Sequence, residues 1–296
     1  MGSGLMPIDP LKLLNWQFEP VTHDYSNRDV ILYALGIGLG KDPLNRVELK
    51  YVYEQQLSAL PTFAVTLATL GMWVKNPDTG ITWNTVVHSA QRSTFHTPLP
   101  NAAKVTGVAN ISQVWDRGPE RGAVIVVERE IRDCNSGTTY CTLEQSLLLR
   151  SDGGFGGEAP PASAIQLPGH APDLTSTFST DPNQAIIYRL SGDWNPLHID
   201  PDVALKAGFA QPILHGYCTY GISAWAACQT ARRNTCELRQ LECQFTGSVI
   251  PGDVLEFQWW QHSENEWLFR AKAGTRQVLN RGRALFDNQG AGSNAT

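Results

Sequence analysis

The chain contains no basic cluster. Its 23 lysines and arginines are outnumbered by 28 aspartates and glutamates, giving a formal net charge of -5. Nucleic acid and anionic membrane are therefore poor candidate partners. It also lacks an apolar run long enough to span a bilayer. The longest, residues 60–74, is too short, is interrupted by threonines and reads as a buried helix. None of the six cysteines (Cys134, Cys141, Cys218, Cys228, Cys236, Cys243) forms a CxxC pair, and no secretory signal precedes them. That argues against a metal ribbon or a disulfide frame, and for reduced thiols in a cytoplasmic protein. Phosphate-binding glycine loops are missing too. The glycines of "SDGGFGGE" are not followed by Lys-Ser or Lys-Thr. "GIGLGK" (residues 36–41) lacks the GxGxxG spacing and follows a helix-like segment, so a dinucleotide fold is discounted. The carboxyl-terminal "NAT" is not a Ser-Lys-Leu-type peroxisomal address. Residues 1–5 are expected to be a remnant of cloning, and residues 291–296 a frayed tail.

What is present suits a folded protein. Hydrophobic residues make up 42% and charged residues 17% of the 296 positions. That length fits one large domain or two of about 150 residues, each able to bury a sizeable core. Residues 151–173, rich in Gly, Pro, Ala and Ser, carry no periodic apolar pattern and read as a linker. The halves on either side share an order of elements. "RDVILYALGIG" and "NQAIIYRLSGD" each read as a short amphipathic helix. Each is followed by a loop and an apparent long apolar helix, residues 53–74 in the first half and 204–232 in the second. Strand-like runs then follow: "TVVHSAQRSTFHTPL", "AKVTGVANISQVWDRG", "GAVIVVEREIRD" and "TTYCTLEQSLLLR" in the first half. The second half has "CELRQLECQFTGSV", "DVLEFQWWQHSEN", "EWLFRAKAG" and "RQVLNRGRALF". Turn signals such as "DCNSG" and "PGD" divide several of them. A helix followed by antiparallel strands is an α+β pattern, and its recurrence points to a duplicated unit.

One stretch concentrates chemistry. "YRLSGDWNPLHIDP" (residues 188–201) brings Asp193, Asn195 and His198 together between Gly192, Pro196 and Pro201. A carboxylate and an imidazole can move protons and can hold one water between them, and an amide can position without titrating. The same residues also make a good turn and cap, and His198 could equally be a hydrogen-bonded structural histidine. Downstream, "PILHGYCTYGISAWAACQTAR" places His215 and Gly216 before a run of small and apolar residues. We read a buried helix over 217–231. The Gly216 amide would lie at its positive end, unobstructed by a side chain and suited to a developing oxyanion. His215 reads as a helix-entry residue packed inside.

"YRLSGDWNPLHIDP" followed by "GFAQPILHGYCTYG" resembles the hydratase 2 signature of MaoC-like enzymes, the (R)-specific 2-enoyl-CoA hydratases. "YALGIGLG", "YVYEQQLSALPTFAV" and "RSDGGFGG" resemble, more loosely, the amino-terminal repeat of their two-repeat members. The resemblance implies an α+β double hot-dog fold, each repeat a long central helix wrapped by a curved antiparallel sheet. Residues 1–150 would be a catalytically degenerate repeat that takes the acyl chain, 151–173 the linker, and 174–290 the repeat with the catalytic motif. Asp193 and His198 would be the catalytic pair, Asn195 would help fix the water, and the Gly216 amide would bind the thioester oxygen. The implied reaction is reversible hydration of trans-2-enoyl-CoA to (3R)-3-hydroxyacyl-CoA. It requires no metal, flavin or nicotinamide, and coenzyme A enters as part of the substrate. A homodimer is a candidate assembly, because edges of such sheets pair.

Aligning Tyr33 with Tyr188 sets Gly38, Gly40 and Pro43 opposite Asp193, Asn195 and His198, so one active site per chain is expected. "HSAQ" (residues 88–91) departs from the His-Gly-Glu-Gln often found in two-repeat members and leaves the lining of the site open. Arg150, Lys206, Arg281 and Arg283 are candidates for the coenzyme A phosphates only by type. Gly36, Gly38 and Gly40, with Ala64, Thr66 and Ala68, suit either a wide tunnel for a long or bulky acyl group, fatty or steroid, or simply close helix–sheet packing. Two competing readings are a hot-dog thioesterase, whose water would aim at the thioester carbon, and a non-catalytic acyl-CoA-binding subunit.

Overall fold

The computed structural model describes residues 8–287; the expected cloning remnant and frayed tail lie outside them. The first half runs α1 (Pro10–Leu14), β1 (Val21–Tyr25), α2 (Asn27–Gly36), α3 (Arg46–Val52), β2 (Val86–Phe95), β3 (Ala103–Asp116), β4 (Ala123–Asp133) and β5 (Thr139–Leu149). The second runs β6 (Leu174–Ser179), α4 (Gln184–Tyr188), α5 (Pro201–Lys206), α6 (Gly216–Ala231), β7 (Leu238–Phe245), β8 (Val254–Ser263), β9 (Glu266–Ala273) and β10 (Arg276–Phe286).

All ten strands join one antiparallel sheet in the order β1-β3-β4-β5-β2-β7-β10-β9-β8-β6. Read from its two ends toward the β2–β7 seam, that order is the same in both halves, as duplication predicts. The eight strand-like runs all form strands. β1 and β6 are additional. "VTHDY" and "LTSTFS" are short and polar, and each needs only one neighbour because each sits at an outer edge.

The two apolar segments behave differently, and here the reading of residues 60–74 as a helix is corrected. α6 forms as expected, beginning at Gly216, and from Cys218 to Cys228 every residue is buried. A helix apolar on all sides belongs in the centre of a core. Its first-half counterpart forms only two short 3-10 turns, Pro61–Thr66 and Trp73–Lys75, between which Ala68 and Gly71 take left-handed backbone (φ 46° and 60°). Pro61 is tolerated only at such a start, and β-branched Thr62, Val65 and Thr66 lose side-chain freedom in a helix. Residues 62–68 are still buried. The first half of the sheet therefore lies over a short turn and irregular chain, whereas the second half lies over a full helix.

The repeats meet along a pseudo-twofold core. Tyr33 and Tyr188 pack with ring centroids 6.0 Å apart. Gln184 Nε2 donates to Gly36 O at 2.8 Å. Residues 151–173 hold no helix or strand, yet their start is anchored. The Asp116 carboxylate accepts from the N–H groups of Gly154 and Gly156 at 2.8 and 2.7 Å, so these glycines wrap an internal anion. Six free cysteines are present, and no described helix is long and apolar enough to cross a membrane.

Candidate active site

The loop after α4 is built from its own turn chemistry. Gly192 takes φ 111°, a conformation that side chains disfavour, and reverses the chain after a 3-10 turn at Arg189–Ser191. Asn195 caps a second turn, Pro196–His198, its Oδ1 accepting from Leu197 N at 3.1 Å. Asp200 then caps α5 by accepting from Asp202 N at 2.9 Å. Pro196 and Pro201 each occupy a first-turn position, where a missing N–H costs nothing. The backbone of Asn195 in turn donates to Asp193 Oδ1 at 3.2 Å and steadies that carboxylate.

His198 is 8% exposed. Its Nδ1 lies 2.8 Å from Ile213 O. A carbonyl only accepts, so Nδ1 carries the proton and Nε2 presents a lone pair. Burial lowers the His198 pKa below the ordinary histidine value, against the upward pull of the Ile213 carbonyl and the Asp193 charge. The neutral, basic form therefore prevails near neutrality.

The helix-entry residue His215 is fully buried, as expected, but it does more than fill space. Its ring stacks on His198, with centroids 3.7 Å apart and planes 29° from parallel. Its Nε2 faces Asp193 O at 3.3 Å, so one imidazole touches both members of the proposed pair. Burial, and next the neighbouring His198, depress its pKa to about 3.

One carboxylate oxygen of Asp193 and one nitrogen of each ring lie within 4.8 Å of one another. Two groups that close can hydrogen-bond the same water, since each bond spans about 2.8 Å. A metal ion fits less well. It needs lone pairs that converge at about 2.0–2.1 Å, and those of stacked rings run side by side.

Gly216 opens α6, and its N–H has no acceptor among the described residues. A Cβ built there would meet nothing nearer than Phe245, at 3.6 Å. The expected oxyanion donor is thus unobstructed at the N-terminus of a 16-residue buried helix. Asn195 also holds the loop: its side-chain oxygen accepts from Leu197 N, and its amide nitrogen and the oxygen's second lone pair are left to meet a water.

The wall beside Gly216 comes from strands remote in sequence. His88 on β2 packs against Tyr217 and Phe245, with centroids 4.8 and 4.7 Å away. Its Nε2 donates to Ala90 O at 3.0 Å across a bulge. Of "HSAQ", His88 therefore lines this region. No local pattern signals that contact, because the β2–β7 pairing creates it. Tyr188 Oη, Ser191 Oγ and His215 Nδ1 are buried without partners, as polar groups left for solvent or ligand are. Of the candidate phosphate contacts, Arg283 is already engaged by Glu242 at 2.5 Å and Gln240 at 3.0 Å. Arg189, which the sequence did not single out, lies over the exposed Trp194 ring at 4.5 Å.

Comparison with known proteins bears on both halves. Residues 163–282 match the MaoC like domain family, and residues 23–151 match the MFE-2 hydratase 2 N-terminal domain. Enoyl-CoA hydratase ChsH3 of Mycobacterium tuberculosis is 35% identical over 86% of this chain and 90% of its own length. A probable enoyl-CoA hydratase 2 of Dictyostelium discoideum is 32% identical over 95% of this chain and 98% of its own. Among solved structures, a MaoC-like dehydratase from Phytophthora capsici superposes with a TM-score of 0.82 at 28% identity, covering 94% of this chain and 99% of the other.

Proposed function

The chain belongs to the MaoC-like hydratase 2 family and has its double hot-dog fold, and from that premise we propose how its residues hydrate an enoyl-CoA thioester. The enzyme is a hydro-lyase acting on 2-enoyl-CoA. The observation that carries the mechanism is the placement of the Asp193 carboxylate and the His198 ring within 4.8 Å, beside a helix that opens with the unpaired N–H of Gly216.

Asp193 and His198 hold one water. Its oxygen bonds to C3 as one proton passes to the pair, and a proton is delivered to C2, so that water adds across the double bond. Negative charge gathers on the thioester oxygen and is met by Gly216 N–H at the positive end of α6. His215 keeps the two groups in register, and Asn195 steadies Asp193. Supply of both proton and hydroxyl from one side makes the addition syn, and the product is the (3R)-3-hydroxyacyl ester. The first repeat, with Gly38 and Gly40 where the second has Asp193 and Asn195, leaves room for the acyl tail, and its shortened central turn supports that role. A thioesterase would need its water at the thioester carbon and would use the same oxyanion donor, so a saturated acyl-CoA separates the two: free thiol release would favour the thioesterase.

Loss of enoyl-thioester absorbance on mixing with crotonyl-CoA or a longer ester tests the reading. Asp193→Asn and His198→Ala should each lose about 10²–10⁴ in rate, the value of one positioned acid or base, with an unchanged far-UV circular dichroism spectrum. Either variant keeping most of the activity contradicts the assignment.

A further inference from the structure

Arg129 is buried in the first repeat with no acid beside it. It belongs to the inward-facing set of β4, alternating with half-buried Glu128 and Glu130; its neighbours on that face, Val127 and Ile131, lie in the apolar clusters. It is only 9% exposed. Nη2 donates to Val65 O at 3.0 Å, near the end of the 3-10 turn. Nε is sealed without a partner, and the remaining donors find no acceptor among the described residues. A guanidinium does not shed its proton in a protein, and leaving one unpaired inside carries a large desolvation penalty. A single carbonyl compensates little of that.

The register shows what Arg129 faces. Ala109, Arg129, Leu143 and Ser93 lie in one row across β3, β4, β5 and β2. Ser93 points inward, because its Oγ is hydrogen-bonded with Tyr220 Oη of α6 at 2.8 Å. Tyr220 is one helical turn beyond Gly216. Arg129 is two strand spacings from Ser93, about 10 Å, on the concave face that lacks a long helix. Tyr217, next to Gly216, lies within electrostatic reach of both Arg129 and Asp193.

We propose that Arg129 anchors the far end of the acyl group, and that the preferred substrates are enoyl-CoA esters whose acyl tail ends in a carboxylate. The inference rests on the enoyl-CoA reading above and names the substrate class. The carboxylate supplies the missing counter-charge and engages the donors that the protein leaves idle.

Two trans-2-enoyl-CoA esters of equal chain length, one methyl-ended and one carboxylate-ended, are compared with the full chain by loss of enoyl absorbance. A hydrogen bond to a charged group predicts a preference of about 10- to 100-fold in kcat/KM for the carboxylate ester. Arg129→Met should bring the ratio near one. A wild-type ratio near one overturns the inference and leaves the hydratase standing. A high ratio that persists in Arg129→Met also overturns it. No turnover of either ester removes the hydratase reading, and this inference with it. Should Arg129→Met fail to fold, competition by the two saturated esters against wild type decides. Tighter inhibition by the carboxylate ester, by at least about tenfold, supports the anchor, and equal inhibition overturns it.

Discussion

Replacing Gly216 by proline isolates the oxyanion donor from the rest of the site. Proline deletes the N–H, and three features indicate that the fold tolerates it. Gly216 is the first residue of α6, where that N–H has no helical acceptor and proline is favoured. His215 before it has φ -61° and ψ 138°, the extended region that a residue preceding proline prefers. A Cβ at this position would stand 3.6 Å from Phe245, an ordinary contact. The expected stability change is within about 1 kcal/mol, with the loss of unfolded-state freedom acting in the favourable direction. Catalysis should suffer far more. Removing one oxyanion donor costs about 10²–10³ in kcat, or about 2.7–4 kcal/mol. Gly216→Ala is the control, since it keeps the N–H and fits the same space; it should retain activity within a few-fold. Urea midpoints and crotonyl-CoA hydration would be measured for both. If Gly216→Pro keeps wild-type kcat, the thioester oxygen is held elsewhere. If alanine is as damaging as proline, crowding by Phe245 accounts for the loss and the hydrogen-bond argument fails.

Acid should destabilise the fold through two rings. Burial holds the His215 pKa near about 3 and the His88 pKa near about 4, whereas the unfolded chain binds those protons near pH 6.5. The unfolded state is therefore favoured as pH falls below about 6.5, by about 1.4 kcal/mol per pH unit for each ring until its folded pKa is reached. Denaturation free energies that do not fall between pH 7 and pH 5 would contradict this. Gly221→Ala tests the seam between repeats. The added Cβ would lie 2.5 Å from Tyr33 Oη and 2.8 Å from Ile37 Cγ2, so an overpacking cost of about 1–3 kcal/mol offsets a helix-propensity gain of about 1 kcal/mol. Net destabilisation is expected in urea unfolding, partly relieved by Tyr33→Phe; a stabilised Gly221→Ala would refute the close packing.

Most of the sheet was legible before the fold was known. The runs that became β2 to β5 and β7 to β10 alternate or are β-branched, and turn residues divide them, so local backbone preference and burial agree. α6 was legible for a related reason: residues 216–231 hold several alanines and no proline, and they bury on every side. Residues 60–74 look equally apolar, but apolarity only says that a segment is buried. Pro61 and the β-branched residues after it made the segment a turn, and its place over the concave sheet is stabilised by contacts such as Arg129 on Val65 O.

For the candidate site the division is similar. Asp193, Asn195 and His198 stand within six positions on a loop whose caps and prolines are local, so their proximity was already written in the chain. The stacking of His215 on His198, the free lone pair of His198 and the wall of His88 and Phe245 were not. Each depends on a backbone or ring brought from another element: the Ile213 carbonyl, the mouth of α6, or the β2–β7 seam. Short-range periodicity and turn chemistry act between neighbours and so can be read along the chain. The orientation of a ring, the sealing of a guanidinium and the openness of a helix mouth arise when distant segments exclude water together, and they exist only after the chain has folded.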